Sequence, residues 1–425
     1  MTDFEHILPL WRDLESAQAD YVLATIVEVQ GSSYRRPGAL MLLASDGRRA
    51  GTISGGCLEA EVAKKAWWLT ESGPLVERYS TLDEDGDLPY GSGCGGVIFI
   101  LLERSATARP LLETMHAAWN SREPLAIATV REGPHIGHRM FAGPDAPADA
   151  PNFAAPQLAS WQVDLQRIAQ IAFSERKSRD ERVDADGVET RVWVDYRSAR
   201  PGLWIFGAGD DTKPLLNMAR QLGWFVAIAD GRSHLATAAR FPAADRLIPL
   251  EILQLPSLPV SHDAPGLGKV TLRVRLQAGE PAVSKTPGAP GLDSETGAEA
   301  PSTDLDIHPG DAAVIATHSY QQDTRILAFL LGRAAHEHPA YIGILGPQRR
   351  TREALRDAAR MLGHIPTARL IEQWLEEIHG PTGLDLGADT PASIALSILA
   401  EIQKSLSAAS ALPLKQVRAM GQIPA

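Results

Sequence analysis

At 425 residues the chain is longer than the roughly 250–300 that one hydrophobic core supports, so two domains are expected. Hydrophobic residues make up 44% and charged residues 22%, the balance of a folded globular protein. The net charge of −11 opposes binding to a polyanion, and no cluster of basic and aromatic residues overrides it, so nucleic acid is not expected as a partner.

No apolar run approaches the length of a membrane span, and the acidic start, Met1-Thr-Asp-Phe-Glu-His6, differs from the basic start of a signal peptide. The two cysteines, Cys57 and Cys94, belong to no CxxC, which argues against zinc and against a thioredoxin-type pair. Unpaired thiols suit a reducing compartment, and the cytoplasm is the expected location.

In chain order, Phe4, Ile7, Leu8, Trp11 and Leu14 stand at helical spacing over residues 4–18. Tyr21 to Val29 alternates as a strand, and Ala39 to Ala44 is a short apolar run closed by Asp46-Gly47, so a hairpin-like pair flanks the loop Arg35-Arg36-Pro37-Gly38. Residues 58–70 read as a helix with Val62, Ala66 and Leu69 on one face. Strands are expected at 75–80 and 97–102, a helix near 108–119 and a strand at 125–130, completing an α+β domain over residues 1–141. The acidic run Asp83 to Asp87 reads as a solvated face.

Residues 142–200 are assigned to a linker and bridging segment. Ala142 to Pro156 is rich in Ala, Pro and Asp, a helix is expected near 160–173, and the alternating Arg191 to Tyr196 fits either the first domain or a bridge to the second. Residues 201–410 then read as a Rossmann-like domain with a doubly wound parallel sheet, which makes the whole chain α/β. Leu203 to Phe206 is a buried strand, Gly207-Ala-Gly209 a turn, Pro214 to Leu222 a helix, and Trp224 to Ala229 a second strand ending in Asp230. An acid at that distance from the first glycine is where a dinucleotide fold holds its ribose. The fingerprint is altered, because Thr212 replaces the third glycine and Asp210-Asp211 would repel a pyrophosphate.

Ser261 to Asp306 is dominated by Pro, Gly, Ser, Thr and Glu and reads as an inserted, largely disordered excursion in which Val270 to Leu276 could form a short strand. Asp311 to Thr317 is the fourth strand, Ser319 to Gln322 has capping-box spacing before a helix over 323–334, and Tyr341 to Leu345 is the fifth strand. First and fourth strands are neighbours in a doubly wound sheet, so His318 should face the Gly207 turn across the crevice. Thr390-Pro391 supplies an N-cap and a first-turn proline for a helix over 392–404, and residues 411–425 are a tail.

Two glycine-rich turns carry the cysteines. Gly51-Thr-Ile-Ser-Gly55-Gly56-Cys57-Leu-Glu59 runs into a helix N-terminus, where glycine amides form an anion site or merely permit a tight turn. Gly91-Ser-Gly93-Cys94-Gly95-Gly96 frames its thiol with backbone N–H groups, which favours a thiolate. Glu59 reads equally as a complement to the helix dipole or as a catalytic acid. His318 reads equally as a strand-end residue or a ligand, whereas Arg349 and Arg350, which could hold a phosphate, are more often solvated at a helix start.

Gly31-Ser-Ser-Tyr-Arg-Arg-Pro-Gly38, Gly51 to Glu59 and Gly93 to Gly96 resemble, in order and within about seventy residues, the signature blocks of the XdhC/CoxI family, accessory proteins of molybdenum hydroxylases such as xanthine dehydrogenase. Thr317-His318, Gly343-Ile-Leu-Gly346 with Arg349-Arg350, and Gly380 to Gly387 resemble the C-terminal half of the same family. Ser54 departs from the pattern, which usually has glycine there, as does Asp210-Asp211, where a histidine and a small residue are common.

The resemblance implies a chaperone that binds molybdenum cofactor, whose molybdopterin form is left open. Such a protein supports sulfuration of the cofactor and delivers it to an apo molybdenum hydroxylase. It also implies partnership with a cysteine desulfurase and a homodimer. Cys94 would then be the reactive residue, a transient molybdenum contact or sulfur carrier. Gly55, Gly56, Cys57, Glu59, Gly93 and Gly95 would line the cofactor, and Gly207, Gly209, Asp230 and His318 the second crevice. The alternative from another class is an NAD(P)-dependent oxidoreductase that binds its nucleotide in the Rossmann-like domain.

Overall fold

In the computed structural model the chain divides after Arg200 into two units. Residues 2–56, 58–80, 96–147, 159–251, 273–274 and 305–419 are described. Cys57, Gly93, Cys94, Gly95 and the acidic run Asp83 to Asp87 lie outside them, as does most of the Ser261–Asp306 insert.

The first unit opens with helix α1 (Thr2–Ser16) and the strands β1 (Tyr21–Gly31), β2 (Leu40–Ala44) and β3 (Arg49–Gly51). Strands β1 and β2 form the expected antiparallel hairpin, with Tyr21 opposite Ala44 and Thr25 opposite Leu40. Helix α2 (Glu59–Leu69) and the strands β4 (Leu75–Ser80) and β5 (Gly96–Arg104) follow, giving a five-stranded antiparallel sheet in the order β3-β2-β1-β5-β4. Both faces of β1 are buried. Tyr21 and Leu23 pack with α1, while Val22, Ala24 and Ile26 join Val62 and Ala66 of α2, so the alternation is apolar on both sides.

Helix α3 (Ser105–Ser121), strands β6 (Leu125–Glu132) and β7 (Arg139–Ala142), helix α4 (Ser160–Glu175), and strands β8 (Arg179–Ala185) and β9 (Val188–Arg197) complete the unit. The second sheet runs β7-β6-β9-β8, all antiparallel. Residues 159–200, given by the sequence to a bridging segment, thus belong to the first unit. Strand β9 is central in its sheet, and the alternation of Arg191 to Tyr196 turns Val192 and Val194 into a core covered by α4. Buried ion pairs tie the two sheets. Arg139 of β7 donates to the fully buried Glu103 of β5 at 2.7 Å, and Arg131 of β6 pairs with Glu28 of β1 and, at 2.6 Å, with Asp180 of β8.

The second unit contains β10 (Gly202–Phe206), α5 (Lys213–Gln221), β11 (Phe225–Asp230), β12 (Arg246–Glu251), β13 (Arg273–Val274) and β14 (Ala312–Ile315). Next come α6 (Tyr320–Leu331), β15 (Tyr341–Ile344), α7 (Gln348–Met361), α8 (Ala368–Glu377), β16 (Ile378–His379), α9 (Pro391–Ser407) and α10 (Leu414–Ala419). The sheet order is β13-β12-β11-β10-β14-β15-β16, parallel except for β13. Its inner five strands have the doubly wound Rossmann arrangement, with the topological switch between β10 and β14. Trp204, Phe206, Ala313 and Ile315 face a core covered by α6, α7 and α8, whereas Leu203, Ile205, Val226 and Val314 face one covered by α5 and α9. Among the described residues no helix is long and apolar enough to cross a membrane.

Helix ends follow local chemistry. Ser319 caps α6 by accepting the Gln322 amide, and Thr390 caps α9 by accepting the Ser393 amide, with Pro391 in the first turn. Of the insert, Arg273–Val274 pairs with Leu250 and Glu251, and the C-terminal boundary expected at Asp306 needs correction. Leu305 is 3% exposed inside the core that holds Trp204 and Phe206, because an apolar side chain beside that sheet face gains more from burial than from water.

Replacing Leu305 with Ala should therefore cost about 2–5 kcal/mol in urea unfolding. Joining residue 274 to residue 305 through a brief linker should cost less than about 1 kcal/mol, since closure entropy varies slowly with loop length. Equal losses for the two changes would contradict the placement of that boundary.

Candidate functional site

The first cysteine turn is held from beneath by one carboxylate. Glu59, in the first turn of α2, is 4% exposed. Its Oε1 accepts the Ser54 amide at 2.8 Å and the Ile53 amide at 3.2 Å, with Thr52 Oγ1 2.5 Å away. Its Oε2 accepts Ser54 Oγ at 2.5 Å. Burial pushes the carboxyl up, but the hydroxyls of Ser54 and Thr52 together with the Ser54 amide outweigh it and hold the group below the usual 4.5. Glu59 is thus an ionised anchor for residues 52–54, with both oxygens engaged inside the turn.

Ser54 passes that anchorage on. Its hydroxyl oxygen also accepts the amides of Gly56 and Leu58, each at 3.1 Å. The Gly56 amide, which the sequence offers to an anion, is directed at Ser54 Oγ instead. The serine that departs from the family's glycine has a structural task here, fixing the residues on either side of Cys57. Composition alone gave no sign of it, although a hydroxyl five residues before a helix-entry glutamate is a usable signal.

Strand β5 begins at Gly96, which stands opposite Gly31. A Cβ on Gly96 would come within 2.1 Å of the Ser32 carbonyl oxygen, so only glycine fits at the start of β5.

In the second unit Gly207 has φ +134°, and a Cβ there would lie 2.2 Å from the Ala316 carbonyl oxygen, so glycine lets the turn after β10 approach the end of β14. The structure brings His318 to that turn. Its Nε2 is 2.9 Å from Asp211 Oδ2, and its backbone is left-handed at φ +59°, a conformation costing a non-glycine residue of the order of 1–3 kcal/mol. Thr317 and Asp323 support this strand end, with Thr317 Oγ1 donating to Asp323 at 2.5 Å and Arg350 to the same carboxylate at 2.6 Å. Arg350 is therefore committed to a buried acid, while Arg349 is exposed near Glu353.

Asp230 turns inward. It is fully buried, with Oδ2 accepting the Ala208 amide at 2.7 Å and Arg232 Nη2 at 2.9 Å. Its Oδ1 accepts the Arg232 amide at 2.7 Å and Arg232 Nε at 3.0 Å. Burial raises this carboxyl, but the Arg232 guanidinium and the two amides keep it below the usual 3.8. The first acid after Gly209 is also compensated. Asp210 pairs with Lys213 at 2.7 Å and Arg240 at 2.9 Å, which offsets the repulsion expected from that acid, and Asp211 Oδ2 is in contact with His318. Lys213, Arg232 and Arg240 were not among the sequence candidates. Arg232, two residues after the strand-end acid, had the most legible spacing.

Both halves of the chain match one family. Residues 203–402 match the XdhC Rossmann domain, residues 14–80 match the XdhC and CoxI family, and the chain belongs to the XdhC/CoxI family. It is 28% identical over 394 residues to a Bacillus subtilis protein named as a probable subunit of xanthine dehydrogenase, covering 91% of this chain and 93% of that one. Over 115 residues it is 34% identical to the "Molybdenum cofactor insertion chaperone PaoD" of Escherichia coli, 25% of this chain and 33% of that protein. A solved structure described as a xanthine dehydrogenase from Bacillus halodurans matches with a TM-score of 0.61 at 25% identity, covering 98% of this chain and 100% of that one.

The Glu59 anchor makes a stability prediction with a definite sign. Because the folded carboxyl titrates below its unfolded value, its contribution is full above about pH 4.5 and is lost as pH falls through the folded value. Glu59→Gln should cost about 1–3 kcal/mol at pH 7, since the amide nitrogen cannot accept the bonds of one oxygen. In urea unfolding across this range, the gap between parent and variant should narrow below pH 4.5.

Proposed function

We propose that the chain is an accessory protein that binds molybdenum cofactor, supports its sulfuration and delivers it to an apo molybdenum hydroxylase of the xanthine dehydrogenase type. The observation that carries this reading is the match of both halves to the XdhC/CoxI family, joined by the similarity to a relative named as a cofactor insertion chaperone. The cofactor is cargo, so the protein needs a reversible grip. Among the described residues no three His, Cys, Asp or Glu side chains converge to hold a metal ion.

Molybdenum favours soft ligands, and a cysteine thiolate framed by glycines is a soft ligand without bulk around it. We assign that role to Cys94, with Gly93 and Gly95 beside it and Cys57 on the anchored turn as the secondary thiol. A cysteine desulfurase supplies the sulfur, the cytoplasm keeps the thiols reduced, and two copies of the chain form the working dimer.

The oxidoreductase alternative is favoured by one feature, the compensation of Asp210 by Lys213 and Arg240. Against it stands Asp230, whose two oxygens already hold donors from its own unit and leave a ribose little to bind. Calorimetry with NADH and NADPH should give Kd values weaker than about 0.1 mM. Low-micromolar binding would favour the oxidoreductase.

The accessory reading is tested by reconstitution of an apo-hydroxylase with molybdenum cofactor, a sulfur source, desulfurase and this chain. Cys94→Ser keeps the size but replaces a soft donor with a hard one, so stability should survive while activation falls at least tenfold, as an estimate of order. Cys57→Ser should do less. Full activation by both variants would rule out the thiol mechanism.

A further inference from the structure

The loop between β1 and β2 and the end of β9 line a shallow, open cleft of about 450 Å³ in the first unit, bordered by Tyr34, Arg35, Arg36, Pro37, Asp195 and Arg197. None of these residues belongs to the cysteine turns. Its volume lies within the roughly 300–1,000 Å³ of small-molecule sites.

The floor of the cleft is neutral and fixed. Arg197 is 8% exposed, donates from Nη2 to the Gly38 carbonyl at 2.6 Å, and brings Nε to 2.8 Å from Asp195 Oδ2. That last approach cancels charge without hydrogen-bond alignment. The rim differs. The exposed Arg36 brings a positive charge and makes no ion pair among the described residues, and Arg35 lies beside it in the lining.

Tyr34 completes the rim with an aromatic ring that is 71% exposed, an unusual position for so large an apolar surface. A Cβ built on Gly55 would lie 3.9 Å from Tyr34 Cγ, so one side of the cleft borders the glycine turn anchored by Glu59. An exposed ring beside guanidinium groups meets two needs at once, a face for stacking a flat heterocycle and forked donors for a phosphate.

We propose that this cleft holds a phosphate monoester carried on a flat heterocycle, with Tyr34 stacking on the ring and Arg36, assisted by Arg35, gripping the phosphate. The assignment rests on the accessory reading for the identity of the ligand, since the molybdenum cofactor is a pterin bearing a phosphate monoester. It adds where the end remote from the metal is held. The cleft and the turn leading to Cys57 would then grip one ligand from two sides of Tyr34.

The test uses the full chain with 6-hydroxymethylpterin and its monophosphate as probes, read by calorimetry. The monophosphate should bind at least about tenfold more tightly than the free pterin, and inorganic phosphate should compete with it. Arg36→Gln should remove most of that preference without moving the unfolding midpoint. Tyr34→Ala should weaken both probes, and Tyr34→Phe should bind both as the parent does.

Equal affinity for the two pterins, or a preference retained in Arg36→Gln, would overturn the assignment. The two readings fail separately. If the chain binds whole molybdenum cofactor but Arg36→Gln keeps its phosphate preference, the cleft assignment falls and the accessory reading stands. If the monophosphate binds as expected but the chain never activates an apo-hydroxylase, the accessory reading falls and the cleft stands.

Discussion

The buried carboxylate of Glu59 is the constraint on which the first unit's candidate site depends. A charge 4% exposed at a helix start is costly unless donors surround it, and here they come from three consecutive residues of the turn it follows. Ser54 is held by the carboxylate and in turn holds the amides of Gly56 and Leu58. A glycine-rich turn that would otherwise sample many backbone conformations is thereby restricted. Gly55 of the same turn lies beside Tyr34, so the anchored turn and the arginine-lined cleft share a border.

The second unit solves a related problem with a second buried carboxylate. The turn after β10 also approaches a neighbouring strand through a glycine, but its buried acid, Asp230, is satisfied by Ala208 and Arg232. Asp230 pairs with Arg232, and Asp210 with Lys213 and Arg240, so the charges of these two acids beside the turn are offset by neighbouring cations. His318, at φ +59° and in contact with Asp211, holds a left-handed backbone conformation that carries an energetic cost.

The sequence made the strongly patterned elements legible. The β1–β2 hairpin, the buried β10 strand and the proline-started α9 helix follow from alternation, from a continuous apolar run and from a capping threonine. Strand β12, Arg-Leu-Ile-Pro-Leu-Glu, was missed because Pro249 argues against a strand, and the structure accommodates it near the edge, where β13 pairs only with Leu250 and Glu251. Strand β8 was missed because Arg-Asp-Glu-Arg-Val-Asp-Ala is a charged edge strand whose buried members are only Val183 and Ala185. In the site, the glycines and His318 were visible as motif residues. The roles of Glu59, Ser54 and Arg232 were not, because each depends on which donor or acceptor the fold brings to it, and that is set by tertiary packing.

The central claim is that this chain carries molybdenum cofactor. It is tested most directly by purifying the full chain from cells that make the cofactor, then measuring bound molybdenum and the fluorescence of the released, oxidised pterin. The account predicts both, in equal amounts and approaching one per chain. A chain that copurifies with neither, or with NAD(P) in their place, would contradict it.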